Sequence, residues 1–562
     1  MDAAMATTSG GGIVGVVGEE AARLWAELPV RVDWAAVAAQ CEAVAAHARR
    51  FVLVPAVKLL VFLSLAMTVM ILVEKLFVCA VCLAVKAFRL KPERRYRWEP
   101  IAASSSSEDE EAGNGNGGGG GGGAAHPMVL VQIPMYNERE VYKLSIGAAC
   151  ALEWPSDRFV VQVLDDSTDL VVKDLVEMEC QRWKSKGLNI KYEVRGNRKG
   201  YKAGALKEGL KHDYVKDCEY IAMFDADFQP DSDFLLRTIP FLVHNPEIAL
   251  VQTRWKFVNA DECLLTRFQE MSLDYHFKFE QEAGSSVYSF FGFNGTAGVW
   301  RIAAIDDAGG WKDRTTVEDM DLAVRATLQG WKFVYIGDIK VRSELPSTFK
   351  AYRFQQHRWS CGPANLFKKM MVEILESKCH FGTNSTFVLF PEIQIPLWGV
   401  VYVPTVITLL KALGTPSSFH LVILWVLFEN VMSLHRIKAA VSGLLDAGGR
   451  VNEWVVTEKL GDANKTKPST NGSDAVKVID IKLPEPDVKL TEPLVPKLVK
   501  RRTRFWERYH CSELFVGTCI ILCGCYDVLY AKKGYYIYLF LQGIAFIVVG
   551  FGYVGTIPPS TQ

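Results

Sequence analysis

Apolar residues are placed along this chain in a way that leaves few folds open. They collect at residues 51–88 and again after residue 386, and the stretch between is mixed in character. A helical bilayer crossing needs ~20 largely apolar residues. The run from Phe51 to Phe88 covers one tilted or extended crossing, although Pro55, Lys58 and the pair Glu74-Lys75 interrupt it. Further apolar runs at 387–411, 419–443, 513–531 and 535–555 raise the expectation to about five spans. The chain, at 562 residues, exceeds one ordinary core. A folded domain held between membrane segments is the expected plan. Lys+Arg and Asp+Glu both number 63, so the balanced charge gives no sign of a nucleic-acid partner.

Composition divides the rest. Residues 1–50 are Ala-rich and mildly amphipathic, and no short apolar core follows Met1, which argues against a cleavable signal peptide. Lys86, Arg89, Lys91, Arg94, Arg95 and Arg97 close the first run, marking residues 89–127 as a cytoplasmic flank. Within that flank, 103–125 is a Ser, acidic and Gly tract that reads as a linker. Residues 128–346 read as the catalytic domain, 347–380 as amphipathic interface helices, 387–443 as two spans and 511–556 as two more. The polar segment 444–510 carries Lys500, Arg501, Arg502 and Arg504, which place it on the cytoplasmic side; Lys532-Lys533 weighs against this arrangement. The 13 cysteines are scattered, with neither a disulfide framework nor zinc-type pairing of C-x-x-C modules.

From Met128 the pattern alternates. Strands are expected at 129–133, 159–164, 189–194, 220–224 and 249–255, with helices between them; Ser167 and Thr168 are capping candidates for the helix after the second strand. Such alternation implies a mostly parallel sheet covered by helices on both faces, and ligands of such sheets bind beyond the carboxyl ends of the strands. Acidic residues stand there: Asp165-Asp166, then Asp225 and Asp227 in F-D-A-D, then Glu318-Asp319 at a helix start. Gathered carboxylates repel unless a cation compensates them. A divalent metal, Mg²⁺ or Mn²⁺, with a nucleotide diphosphate is the economical explanation. D-x-D alone is short and suits a turn equally well. Lys202 in G-Y-K-A-G would add positive charge toward phosphates, against the plain alternative of a solvated lysine. Q-Q-H-R-W, Gln355 to Trp359, sits just before the later spans; Arg358 suits phosphate, Trp359 a sugar face and Gln355 hydroxyls, whereas an interfacial aromatic-basic belt is the bland reading. F-F-G-F-N-G-T-A-G, Phe290 to Gly298, suits a tight loop near a ligand or a turn between strands.

D-D (165–166), D-A-D (225–227), V-E-D (317–319) and Q-Q-H-R-W (355–359), in this order, resemble the processive family-2 glycosyltransferases of the cellulose-synthase superfamily. P-M-V-L-V-Q-I-P-M-Y-N-E-R-E-V-Y, G-Y-K-A-G-A-L-K-E-G and Q-Q-H-R-W-S-C-G-P-A-N-L are similar to the plant cellulose synthase-like A group, the glucomannan 4-β-mannosyltransferases. That resemblance implies an α/β GT-A domain with a Rossmann-like, mixed, mostly parallel sheet, plus the transmembrane bundle. It implies that Asp166 helps hold the nucleotide, that Asp225 and Asp227 bind metal and diphosphate, and that Asp319 is the general base. Gln355, Arg358 and Trp359 would hold the acceptor end and the donor diphosphate. The implied partners are GDP-mannose, with GDP-glucose as occasional donor, a growing β-1,4-mannan or glucomannan chain and membrane lipid. An accessory protein or a homo-oligomer stays open, and a multi-pass Golgi membrane location is implied. Two rivals are a UDP-glucose-dependent β-1,4-glucan synthase and a non-catalytic membrane scaffold. The intact acidic motifs and Q-Q-H-R-W weigh against the scaffold. Basic flanks favour a cytosolic active site; a lumenal one would need imported GDP-mannose.

Overall fold

The structure is a computed structural model that describes residues 34–101, 126–375, 399, 402–445, 509–531 and 534–556. The Gly-rich linker, most of the 444–510 segment with its basic cluster, the first half of the 387–411 run and Lys532-Lys533 lie outside these residues. The chain divides into two units, residues 1–71 with 381–404 and residues 72–380 with 405–562. In the first unit the described residues are helical: Trp34–Ala48, a π turn Arg49–Leu53, and the beginning of α1, Val54–Ala87.

The second unit is built on a seven-stranded sheet in the order β3-β2-β1-β4-β6-β5-β7. The strands are β1 (Val129–Met135), β2 (Phe159–Asp165), β3 (Ile190–Val194), β4 (Tyr220–Met223), β5 (Ile248–Phe257), β6 (Gly298–Arg301) and β7 (Lys332–Ser343). β3, β2, β1 and β4 are parallel, as are β5 and β7; β6 runs antiparallel between β4 and β5. The connecting helices are α2 (Tyr142–Cys150), α3 (Leu170–Lys184), α4 (Tyr201–Gly209), α5 (Phe234–His244), α6 (Leu264–Tyr275) and α7 (Glu318–Leu328). Strand side chains alternate between faces. Val129, Val131 and Ile133 therefore enter one core with Ile146, Val176 and Leu242, while Leu130 enters the other with Leu206, Leu322 and Trp300. Both faces are covered, so nearly every β1 position is apolar, and each fully buried aliphatic side chain contributes ~1.5–3 kcal/mol. β6 and β7 were not foreseen in the sequence: β6 spans only four residues behind a Gly-rich loop, and its reversed direction breaks the strand-helix alternation.

α8 (Phe349–Leu375) leads away from the sheet. Among the described residues, three helices are long and apolar enough to cross a bilayer: Ala35–Ala87, Pro416–Leu445 and Cys511–Tyr530. Two shorter apolar helices, Val403–Ala412 and Tyr536–Gly550, fall within the second and fifth expected spans. The long helices α9 (Val422–Leu445) and α10 (Cys511–Tyr526), with α11 (Tyr536–Gly550), leave Ile423, Phe515, Leu522 and Ile544 exposed, a surface suited to acyl chains. Their inner sides bury Trp425, Phe428, Val431 and Phe546 against Leu265, Phe268, Phe349 and Tyr352, which fixes the catalytic domain to the helices.

Candidate active site

The carboxyl ends of β1, β2 and β4 open into one pocket. Phe224, Ala226 and Phe228 are buried in one core. Asp225 and Asp227, interleaved with them, line the pocket. The Asp225 backbone N–H donates to Thr296 Oγ1 at 2.9 Å. After β2, the two adjacent aspartates part company. Asp165 turns inward, where its carboxylate accepts from Tyr192 Oη and from the Ser167 N–H, each at 2.8 Å. Asp166 lines the pocket and is gripped by Arg195, whose Nε donates to Oδ1 at 2.8 Å. Asn137 holds this turn from the neighbouring strand end. Its Oδ1 accepts from the N–H groups of Thr168 and Asp169 at 2.9 and 3.1 Å, and its own N–H donates to Ser167 Oγ at 2.8 Å. Ser167 and Thr168 are thus engaged with Asn137. The cap of α3 is Asp169, which accepts from the Val171 N–H at 2.9 Å.

Lys202, expected to face phosphates or else solvent, is 9% exposed and pairs with Asp225. Its Nζ also donates to the Gly295 carbonyl at 2.8 Å. Gly295 has φ 77°, and a Cβ there would stand 2.8 Å from Asp319 Oδ2, so the loop passes against that carboxylate as only glycine allows. Asp319 sits in the first turn of α7, with its Oδ1 accepting from the Met320 N–H at 2.8 Å. The helix is anchored by buried Asp321, which accepts from Arg314 Nε at 3.0 Å and Arg325 Nε at 2.9 Å.

Charge in the pocket is unevenly shared. Burial pushes Glu318 up to about 8, with the adjacent Asp319 adding to the shift. Burial also raises Asp319, against the opposing pull of Lys202. Burial acts to lower Lys202, but Asp225, Glu318 and Asp319 outweigh it and keep the ammonium charged. Burial thus pushes both neighbouring carboxyls up, Glu318 to about 8, with the Lys202 ammonium opposing the shift on each.

The opposite wall comes from α8. Gln355, Arg358 and Trp359, spaced i, i+3 and i+4, line the pocket from one helix face. Gln356 lies on another face and is 8% exposed, its Oε1 accepting from Arg436 Nε at 2.8 Å. Arg436 on α9 also donates to Glu429 Oε2 at 2.7 Å and to Tyr352 Oη at 3.1 Å. The Q-Q-H-R-W turn is thereby bolted to a membrane helix on one side and faces the pocket on the other.

All eight residues singled out from the motifs, Asp166, Lys202, Asp225, Asp227, Asp319, Gln355, Arg358 and Trp359, line this single pocket. Sequence reasoning missed Arg195, Asn137 and Arg198, whose guanidinium lies 3.3 Å from the Tyr136 ring centroid at the pocket rim. The basic run V-R-G-N-R-K-G at the end of β3 was the available signal. Among the described residues, no group of three or more His, Cys, Asp or Glu could hold a metal alone. Asp225 and Asp227 supply two hard oxygen donors, which fits an ion that takes its other ligands from a diphosphate and water.

Two family models match the chain, "Glycosyl transferase family 2" over residues 130–297 and "Glycosyl transferase family group 2" over residues 220–434. They define the class, a family-2 glycosyltransferase with a GT-A fold. The chain is 76% identical to "Probable glucomannan 4-beta-mannosyltransferase 11" of Oryza sativa subsp. japonica, covering 99% of this chain and 100% of that one. It is 57% identical to "Glucomannan 4-beta-mannosyltransferase 9" of Arabidopsis thaliana, covering 90% and 93%. The chain belongs to the glucomannan 4-β-mannosyltransferase family. A mannosyltransferase from Pyrobaculum calidifontis, solved with GDP-Man and Mn²⁺, is similar at 16% identity and a TM-score of 0.39, covering 69% of this chain and 100% of that one. As a glycosyltransferase of this family, the chain takes a nucleotide-sugar donor and a glycan acceptor, and its apolar helices mark it as a membrane protein.

Proposed function

We propose that this chain is a processive, inverting mannosyltransferase that builds the β-1,4-mannan backbone of (gluco)mannan, a cell-wall hemicellulose, from GDP-mannose, with GDP-glucose as a second donor. The observation that carries the reading is the gathering of the two aspartates after β4, the carboxylate at the start of α7 and the Gln-Arg-Trp face of α8 around one pocket, in a chain with near-full-length mannosyltransferase relatives.

Asp166 holds the nucleotide end, itself fixed by Arg195. Asp225 and Asp227 would bind a divalent metal, Mg²⁺ or Mn²⁺, which when bound neutralises charge growing on the diphosphate leaving group. Lys202 from the sheet side and Arg358 from α8 bring fixed positive charge to the pocket. Asp319 takes the proton from the acceptor 4-hydroxyl as that oxygen bonds to mannosyl C1 and the C1–O bond to GDP breaks. Attack from the face opposite GDP turns the α-linked donor into a β-linked product. A base raised above the ordinary aspartate range is better matched to this proton transfer near neutral pH. Trp359 and Gln355 hold the chain end in line, which makes the attack effectively unimolecular.

The protein is read as a multi-pass Golgi membrane enzyme of about five spans with its catalytic domain toward the cytosol, the polymer leaving through the spans. Membranes containing the chain, given labelled GDP-mannose with Mn²⁺ or Mg²⁺, should form mannanase-sensitive polymer. Label incorporated from UDP-glucose in preference to GDP-mannose would overturn the donor assignment.

A further inference from the structure

The end of α1 borders a second cavity, of about 630 Å³, which shares no lining residue with the active-site pocket. Its other walls are Arg254 of β5, the π turn His276–Gln281 with Glu282, and the middle of β7 around Tyr335 and Asp338. Six cations line it: Lys86, Arg89, Lys91, Arg94, Arg254 and Lys278. Three carboxylates stand against them, Glu93, Glu282 and Asp338. Burial raises Glu282, which weakens the negative charge of that wall.

A basic flank after an apolar helix is enough to orient the helix. Here it is also folded into a cavity with cations from far along the chain. Arg254 and Lys278 are both held on one buried carboxylate, Asp274, at 2.5 and 2.6 Å. Lys91 pairs with Asp338. Lys86, Arg89 and Arg94 are exposed and form no ion pair among the described residues.

The backbone adds an independent sign. α1 closes in a Schellman turn, in which the Leu90 N–H donates to the Val85 carbonyl at 2.9 Å and the Arg89 N–H to the Lys86 carbonyl at 3.4 Å. The left-handed residue of that turn is Arg89, φ 55°, where glycine is the usual choice. Arginine there costs backbone energy and sets a guanidinium at the cavity. On either side of it Phe88 and Leu90 are 73% and 56% exposed, just where the bilayer-length helix ends. Apolar and basic side chains thus alternate at the cavity mouth, a surface that suits a lipid better than a soluble anion. Three cations without carboxylate partners match a phosphodiester joined to a phosphomonoester, which carry roughly three negative charges together near neutral pH.

We propose that this cavity binds the headgroup of an anionic phospholipid carrying a phosphomonoester, with Arg89 and Arg94 on its phosphates and Phe88 and Leu90 against its acyl chains. Placing that lipid in the cytoplasmic leaflet rests on the sidedness proposed above.

The test titrates full-length chain in non-ionic detergent with dioctanoyl phosphatidylinositol monophosphate, read by thermophoresis and by thermal shift. The lipid should raise the melting temperature, as a ligand of the folded state does. Arg89→Gly gives the turn its preferred residue, so without lipid it should melt no lower than the wild type, yet its affinity should fall about fivefold. Adding Arg94→Gln should bring the loss to about 20–30-fold. Removing two exposed lysines elsewhere, Lys184→Gln with Lys216→Gln, should leave affinity unchanged. Wild-type affinity in the Arg89→Gly, Arg94→Gln chain would overturn the proposal, as would equal affinity for dioctanoyl phosphatidylserine. Free inositol bisphosphate binding as tightly as the lipid would overturn the lipid assignment in favour of a soluble phosphate. Binding in detergent needs neither donor nor a sealed membrane. A chain inactive with GDP-mannose, or with its domain in the lumen, would therefore sink the earlier reading and leave this result standing.

Discussion

The two walls of the pocket are built on different principles. The sheet-side wall, Asp166, Asp225 and Asp227, stands on short turns at strand ends, and its holders (Arg195, Asn137, Thr296) all come from the same α/β domain. The α8 wall depends on helices outside that domain: Gln356 and Tyr352 lock onto Arg436 and Glu429 of α9, and Arg353 Nη1 pairs with Glu513 of α10 at 2.8 Å. On the function proposed above, the donor end would be preorganised by the α/β domain, while the acceptor end would be only as ordered as the helices that hold α8.

The comparison can be broken first at the residue between the walls. Asp319→Asn should reduce polymer formation about 10²–10⁴-fold with GDP binding intact, since general-base catalysis contributes on that scale. Activity equal to wild type would remove Asp319 as base. Next comes the sheet-side wall alone. Asp225→Asn, or chelation of divalent metal, should lower activity by about 10²–10³-fold and weaken GDP binding, with added Mn²⁺ or Mg²⁺ reversing only the chelation. Third is the bundle side. Arg436→Met should leave Glu429 without its arginine and destabilise the protein by about 3–5 kcal/mol, whereas Arg436→Met with Glu429→Leu should recover most of that, measured as thermal stability in detergent. Recovery of stability without recovery of acceptor affinity would sharpen the view that Gln356 needs its arginine. Fourth, Trp359→Ala should raise acceptor KM by roughly 3–10-fold, the worth of one aromatic contact, and leave nucleotide affinity unchanged.

The smallest expected effect concerns pH. Burial pushes Glu318 up to about 8, above the ordinary glutamate range. The folded state therefore keeps a proton that the unfolded chain releases at lower pH. Its stabilising contribution is complete below ~4.3, the unfolded value, and is lost as pH rises toward 8. Glu318→Gln removes this slope, so its melting temperature should fall less between about pH 5 and pH 8 than that of the wild type. Parallel curves would contradict the burial-raised proton assigned to Glu318.

Much of this was legible in the sequence, for a physical reason. Strands buried on both faces must be apolar throughout, so V-L-V-Q-I and F-V-V-Q-V-L declared themselves, and the acidic residues that end them stood out by contrast. The i, i+3, i+4 spacing of Gln355, Arg358 and Trp359 was visible as well. Other features depend on partners far along the chain. Gln356 reads like its neighbour until Arg436, 80 positions away, claims it. Asp165 looks equivalent to Asp166 until Tyr192 draws it inward. The cap at Asp169, in place of Ser167 or Thr168, results from Asn137 occupying those two residues, a contact across 30 positions that no local capping rule contains.

The reversed strand β6 has a consequence for where this chain tolerates length. Gly298 pairs with Met223 and Arg301 with Tyr220, so β6 starts at the pocket edge of the sheet and ends at the far edge. Residues added before Gly298 would extend the Phe290–Ala297 segment beside the pocket, whereas residues added after Arg301 would emerge on the side away from it. A graft meant to carry a tag or a fluorophore without touching synthesis belongs on the second side, and a library meant to change the product belongs on the first.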